Sequence, residues 1–201
     1  MIREFPLFRS HIDLAHSYWK KILRPHDHAI DATCGNGKDT LVLANLLFRI
    51  FPHSQESTLI GIDIQSEAIE RTRTLLSTHF SEKENARIFL CNQSHAAFPA
   101  IAYQAPIRLI VYNFGYLPGG DKAITTLSAT SLQSLQAALP LIMPGGAISA
   151  TCYPGHPEGK IEESALLSFA NALDPSQWCV TWHTWPNRIL SPTLLFLQKS
   201  L

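Results

Sequence analysis

An acidic residue, two glycines and a helix start follow one another in Asp31-Ala32-Thr33-Cys34-Gly35-Asn36-Gly37-Lys38-Asp39-Thr40. Ala29 and Ile30 lead into Asp31 as a strand would, and the run from Lys38 to Ile50 continues as a helix would. A glycine turn between strand and helix lets a ligand lie against bare backbone at the strand's carboxyl end. Two cofactor chemistries compete for such a turn. The dinucleotide fingerprint wants a third glycine three residues after the second, where this chain has Thr40. It also wants an acidic residue about twenty residues further on, whereas Asp63, at the end of Leu59-Ile60-Gly61-Ile62-Asp63, lies farther away. An ionised carboxylate there has two acceptor oxygens, one for each hydroxyl of an adenosine ribose. The next strand end, Cys91-Asn92-Gln93-Ser94-His95, adds polar residues that could hold the adenine or the sulfonium side. Three polar loops at three consecutive strand ends point to S-adenosylmethionine. The turn would supply Asp31, Gly35, Asn36, Gly37, Lys38, Asp39 and Thr40, with Asp31 organising the loop and, through it, the methionine amine. A nicotinamide cofactor and a structural domain with no cofactor are the alternatives.

A fourth strand end carries the groups that could act on an acceptor. Leu109-Ile110-Val111-Tyr112-Asn113 runs into Phe114-Gly115-Tyr116-Leu117-Pro118-Gly119-Gly120-Asp121-Lys122. Asn113 and Tyr116 resemble the first and last positions of the Asn-Pro-Pro-Tyr loop of adenine amino methyltransferases. An amine nucleophile must keep its lone pair aimed at the methyl carbon, and an Asn113 carbonyl accepting an N–H would fix it. Methyl transfer chiefly requires such positioning. Tyr116 could pack over a base, and Asp121 is a candidate general base, with a helix N-cap as its alternative. The loop Tyr153-Pro154-Gly155-His156-Pro157-Glu158-Gly159-Lys160 presents Tyr153 and His156 as substrate contacts. His16, on the first helix, could close over the cofactor or serve packing.

The elements that would position these residues alternate along the chain. Strand-like runs cover roughly 28–34, 58–63, 87–91, 107–113, 146–153, 178–184 and 193–199. Helix-like runs cover 11–23, 38–50, 66–79, 124–139 and 159–173. Ser66 before Glu67 and Glu70 reads as a capped helix start, and Pro144-Gly145-Gly146 as the turn before the fifth strand. Alternation predicts a parallel sheet with right-handed crossovers. The last two strands, joined through Trp185-Pro186-Asn187-Arg188 with no helix between, predict an antiparallel hairpin. The expected fold is α/β and Rossmann-like: one domain over residues 1–201, with a seven-stranded, mainly parallel sheet ending in an antiparallel hairpin. It is similar to the layout of class I methyltransferases.

Composition narrows the function classes. An apolar fraction of 46% and a charged fraction of 16% suit a globular protein with a sizeable core. The formal net charge is zero, so any nucleic acid must be held by a local patch. Arg3, Arg9, Lys20, Lys21 and Arg24 against Glu4 and Asp13 make the first 24 residues the best such patch, with an ordinary solvated helix face as the alternative. The apolar run from Leu41 to Phe51 contains Asn45 and Arg49 and is too short to span a bilayer. The start Met1-Ile2-Arg3-Glu4-Phe5-Pro6 lacks a signal-peptide pattern, so a cytoplasmic location is expected. Cys34, Cys91, Cys152 and Cys179 are widely spaced, which predicts buried reduced thiols and no metal site.

With these loops placed, the chain resembles a family of small bacterial methyltransferases, the rRNA methylase family typified by YtqB and associated with MnmM-type tRNA modification. The resemblance rests on Asp31 to Gly37 with Asp39-Thr40, on Gly61-Ile62-Asp63-Ile64-Gln65 and on Ser94-His95. It rests further on Asn113-x-Gly115-Tyr116-Leu117-Pro118-Gly119-Gly120-Asp121-Lys122 and Gly155-His156-Pro157-Glu158-Gly159-Lys160. It implies methylation of 5-aminomethyl-2-thiouridine at the tRNA wobble position, with the anticodon loop as partner and S-adenosylmethionine as cofactor. Carried over as cofactor residues are Asn36, Asp63, Gln65, Ser94 and His95. A further contact falls on Lys38, where the family has asparagine. Tyr112-Asn113-Phe114 replaces Phe-Asn-Leu, and His53 to Ser57 reads as a longer loop. A wobble base splayed from its loop could stack on Tyr116, and a homodimer would help a chain of this size span an anticodon arm. The rival functions are an rRNA or small-molecule methyltransferase on the same fold and a non-catalytic RNA-binding protein.

Overall fold

The computed structural model describes residues 10–50, 56–116, 119 and 125–201. Arg3, Arg9, Glu4, the predicted longer loop at His53 and the candidate base Asp121 lie outside them.

Seven strands form one sheet: β1 (His28–Asp31), β2 (Leu59–Asp63), β3 (Ile88–Asn92), β4 (Ile107–Phe114), β5 (Ile142–Cys152), β6 (Trp178–His183) and β7 (Thr193–Lys199). Their order is β3-β2-β1-β4-β5-β7-β6. The first five pair in parallel, and β7 runs antiparallel to both β5 and β6. The predicted hairpin is present, with β7 inserted between β5 and β6. Strand order reverses between β1 and β4, so the chain leaves their carboxyl ends in divergent directions and a crevice opens there.

Among the described residues six α-helices accompany the sheet: α1 (His11–Ile22), α2 (Lys38–Asn45), α3 (Ser66–His79), α4 (Glu82–Asn85), α5 (Ser128–Ala138) and α6 (Pro157–Asn171). Alternation along each strand sends side chains to opposite faces. Ala29, Leu59, Leu109 and Val111 pack with Leu14, Trp19, Leu43 and Leu76 of α1, α2 and α3. Ile30, Ile60, Ile110 and Ile148 pack with Leu135 and Leu166 of α5 and α6 on the other side. Because the inner strands are covered on both faces, they read as continuous apolar runs.

Several boundaries differ from the sequence expectation, each for a local reason. The predicted helix 38–50 changes hydrogen-bond pattern at Leu46 and ends as a π-helical turn through Ile50. Ser66 is the first helical residue of α3 and does not cap it; the cap position is Gln65, whose N–H donates to the Asp63 carboxylate at 2.9 Å. Pro144-Gly145-Gly146 is no turn before β5 but lies inside it, where the ladder to β4 slips register between Ile107 and Leu109. The fifth helix starts at Ser128 rather than 124. The sixth starts at Pro157, whose fixed φ suits the first helical position. Cys34 and Cys152 are buried, whereas Cys179 faces solvent from the edge strand β6, contrary to the expectation of a buried thiol.

Ser10 and Asp13 cap α1 reciprocally, and Leu14, Ala15 and Trp19 form its buried stripe. The Trp19 indole N–H donates to Ser149 Oγ at 2.9 Å in the core, fastening α1 across β5. Ser149→Ala would leave that N–H unpaired, which costs about 1–3 kcal/mol. Urea unfolding should show the free energy lowered by that amount and the midpoint shifted down in proportion, with the slope unchanged.

Candidate active site

The turn after β1 is shaped by positive backbone angles, with φ of 51° at Gly35 and 77° at Gly37. A Cβ at Gly37 would sit 2.9 Å from Thr72 Oγ1 and 3.0 Å from Thr72 Cα, so α3 presses against the turn from below. The Thr72 hydroxyl donates to Gly35 O at 3.1 Å, joining the two.

Asp31 lies behind this turn, fully buried. Its carboxylate accepts from the Thr33 N–H at 3.2 Å and from the Thr40 hydroxyl at 2.6 Å. Thr40 is buried as well, so both residues hold the turn from the inside and do not line its open face. Burial, reinforced by the negative charge of Asp39, pushes Asp31 up to about 7. Lys38 points into solvent at the first turn of α2. Asn36 Oδ1 accepts from Arg71 at 3.0 Å.

Asp63 ends β2 and is aimed by two backbone donors, Gly35 N–H on Oδ2 at 2.8 Å and Gln65 N–H on Oδ1 at 2.9 Å. Each oxygen keeps a further acceptor position. At the end of β3, Asn92 braces the site by donating to the carbonyls of Asp63 and Ile64 at 3.0 and 2.9 Å. Ser94 Oγ accepts from the Ala96 N–H at 3.2 Å. His95 is set against the rings of Tyr112 and Phe114, at centroid distances of 6.3 and 6.0 Å. Burial there pulls its imidazole down to about 4. Its buried Nε2 has no hydrogen-bond partner among the described residues.

The end of β4 meets these loops through one connected set of side chains. The Asn113 N–H donates to Thr33 Oγ1 at 2.7 Å, tying β4 to the turn. The Asn113 amide nitrogen donates to Asp39 Oδ2 at 2.8 Å, and His16 Nε2 contacts Asp39 Oδ1 at 2.7 Å. On the other side, the Tyr153 hydroxyl lies 3.3 Å from Asn113 Oδ1 and 3.3 Å from His11 Nε2. Burial raises the Tyr153 phenol to about 12 and lowers the His11 imidazole below its usual value. Sequence reasoning named Asn113, Asp39 and Tyr153 separately. It missed His11 altogether, because the contact joins residues 142 positions apart.

Tyr116 is 40% exposed and bridges to Thr125 across the base of its loop. His156 lies 6.3 Å from the Tyr116 ring, but its Nδ1 accepts from the Gly159 N–H at 3.1 Å and so caps α6. A Cβ at Gly159 would fall 2.2 Å from Tyr153 O, so a glycine there lets the loop after β5 close on itself. Glu162 was also not anticipated. It is buried and accepts from Thr126 Oγ1 at 2.9 Å and Ser131 Oγ at 2.6 Å, fastening the far end of the Tyr116 loop to α6.

A groove of about 840 Å³ runs between α1 and the β6–β7 hairpin and is lined by Lys21, Arg24, Arg108, Lys199, Tyr18 and His183 among others. Its lining among the described residues contains no carboxylate side chain.

Comparison with known proteins places this geometry. A family model described as "Putative rRNA methylase" matches residues 59–199. A chloroplastic tRNA (mnm(5)s(2)U34)-methyltransferase of Arabidopsis thaliana is 38% identical over 191 residues, covering 93% of this chain and 68% of that protein. The crystal structure of an rRNA-methylase from Clostridium thermocellum superposes with a TM-score of 0.85 at 30% identity, covering 96% of this chain and 98% of that one. A methyltransferase of Streptococcus mutans, solved in complex with SAH, gives 0.78 at 29% identity over 96% and 99% of the two chains.

The state of Asp31 makes the fold pH-sensitive. Its carboxyl sits at about 7 in the folded protein against 3.8 unfolded, so the folded state keeps a proton that the unfolded state has released. The stabilisation is complete below the unfolded value and is lost as pH rises through the folded one. Unfolding free energies measured across that window should fall by an amount on the order of 1 kcal/mol per pH unit, and Asp31→Asn should flatten this part of the profile.

Proposed function

We propose an S-adenosylmethionine-dependent tRNA methyltransferase, and the premise is kinship: the chain belongs to the rRNA methylase family. The acceptor we assign is the amine of 5-aminomethyl-2-thiouridine at the wobble position, converted to the 5-methylaminomethyl form. The Arabidopsis relative is named for a methyltransferase of that nucleoside. The observation on this chain that carries the reading is the orientation of Asn113, whose carbonyl oxygen an acceptor-only carboxylate turns away from itself.

The residues suit the cofactor. Asp31, Asp39 and Asp63 surround one glycine turn, and the charges of Asp39 and Asp63 both raise Asp31. Asp31 is buried behind that turn, so Asp39 and Asp63 are the carboxylates that favour a ligand of net positive charge. S-adenosylmethionine, when bound, supplies an activated methyl group on a sulfonium. Asp63 presents its two aimed oxygens to the ribose hydroxyls, with Asn36 and Gln65 flanking. The His95 and Ser94 turn borders the adenine, and the backbone of Gly35 to Gly37 lies against the methionine portion. Lys38, Asp39, Asp31 and Thr40 keep that turn in shape.

On the acceptor side, Asn113 Oδ1 accepts an N–H of the amine and so points the nitrogen lone pair at the methyl carbon. Tyr116 and Tyr153 form the walls, with His156 setting the start of α6 behind them. Asp121 remains our candidate for a group on the substrate loop. The wobble base reaches the crevice from an anticodon loop whose stem phosphates lie along the groove of Lys21, Arg24 and Lys199, with Arg108 held behind it by Asp27. No helix among the described residues is long and apolar enough to cross a membrane, and a cytoplasmic enzyme, paired as a homodimer on its tRNA, is the working picture. The whole of residues 1–201 acts as one catalytic unit.

Purified protein with S-adenosylmethionine and aminomethyl-bearing tRNA should yield the methylaminomethyl nucleoside by mass spectrometry. Transfer to rRNA or to small amines alone would overturn the assignment. Asn113→Ala should lower kcat about 100-fold while calorimetry shows cofactor affinity nearly unchanged. Lys21→Glu with Arg24→Glu should raise KM for tRNA and reduce its salt dependence, leaving kcat at saturating tRNA intact.

A further inference from the structure

We propose that Tyr153 and His11 form the route by which the acceptor amine loses its proton, Tyr153 passing the proton on and His11 receiving it. The inference rests on the amine-methylation reading. A primary alkyl amine reaches a protein site at neutral pH largely as an ammonium, which has no lone pair to offer. Some group must take its proton within the crevice.

Hydrogen-bond polarity picks the route. Asp39 is acceptor-only, so the Asn113 amide nitrogen faces it at 2.8 Å and Asn113 Oδ1 faces Tyr153. In this structure the Tyr153 hydroxyl donates to Asn113 Oδ1 at 3.3 Å; an amine N–H that takes its place on that oxygen frees the hydroxyl to turn to His11 Nε2, and the two oxygens then accept two N–H bonds from one nitrogen. Tyr153 Oη is also 3.3 Å from His11 Nε2, with the two rings edge-on at a centroid distance of 5.5 Å. The phenol therefore stands between the amine position and an imidazole.

His16 is excluded from this role because its Nε2 is already engaged with Asp39 at 2.7 Å. Asp39 itself holds both Asn113 and His16. His11 is half-buried, so it can deliver the proton to water. The groups facing it are Tyr153 after β5, Asp39 on α2 and Asp13 on its own helix. Burial outweighs the two carboxylates and lowers the imidazole below its usual value, which favours its neutral form before transfer and the return of its proton to solvent afterwards.

The step balances. The ammonium gives a proton to Tyr153 Oη as the Tyr153 hydroxyl proton passes to His11 Nε2. The phenol is restored and His11 becomes an imidazolium. The freed nitrogen lone pair forms the new N–C bond, and the electrons of the broken S–C bond remain on sulfur. The product leaves as a secondary ammonium, and His11 returns its proton to solvent.

Single-turnover rates on aminomethyl-bearing tRNA, measured from about pH 6 to about pH 9, test this directly. Tyr153→Phe and His11→Ala should each lose about 100-fold at the acid end and regain most of it at the alkaline end, where the amine is already neutral. Cofactor affinity should stay unchanged in both. A loss equal at every pH, or no loss at all, would overturn the relay while leaving the methyltransferase assignment standing. Wild-type protein inactive on this amine at every pH would instead remove the premise, and the relay with it. Should Tyr153→Phe fail to bind cofactor, His11→Ala decides alone, because His11 meets the site through Tyr153.

Discussion

The Asp39 carboxylate is the group on which the open end of this sheet depends. It stands at the start of α2 and receives His16 from α1 and Asn113 from β4. Because a carboxylate only accepts, it sets the direction of each hydrogen bond that follows: Asn113 turns its oxygen outward, and Tyr153 meets that oxygen. His11 then returns the chain of contacts to α1, at the residue directly after the one that caps the helix. Four elements distant in sequence are held in one arrangement by a single charge. Burial, with the same charge adding to it, raises the neighbouring Asp31 to about 7.

Around this hub, the sheet separates two tasks. Loops after β1, β2 and β3 bring the left-handed glycines, the aimed Asp63 carboxylate and the Asn92 brace together on one side. Loops after β4 and β5 build the opposite wall from Asn113, Tyr116 and Tyr153, with Glu162 fastening the Tyr116 loop from behind. The reversal of strand order between β1 and β4 keeps the walls apart. α1 closes one side of the gap, and its own position is fixed by the Trp19 hydrogen bond deep in the core.

Much of this was legible before any coordinates. Strand ends announce themselves when an apolar run stops at a polar residue, and Asp31, Asp63 and Asn113 all do so. Gly35 and Gly37 announce a turn because few other residues tolerate their angles. What escaped the reading was set by tertiary contact. Pro144-Gly145-Gly146 has the composition of a turn, yet pairing with β4 carries the strand through it. His156 reads as a substrate contact, and its capping of α6 through the Gly159 N–H is a second role that the reading did not name. No periodicity could bring His11 to Tyr153, or Glu162 to Thr126 and Ser131, since those contacts exist only once the layers are stacked.

The place of β7 bears on how the molecule is assembled. β7 follows β6 in the chain yet is not added at the rim; it lies between β5 and β6, two strands synthesised earlier. Until it arrives, β6 has no neighbour to pair with, and the unsatisfied flank of β5 is open to any other extended segment. Leu194, Leu195 and Leu197 complete both buried layers at once. A nascent chain can thus pair β1 to β5 before β7 is available, while β6 and the open flank of β5 wait for it.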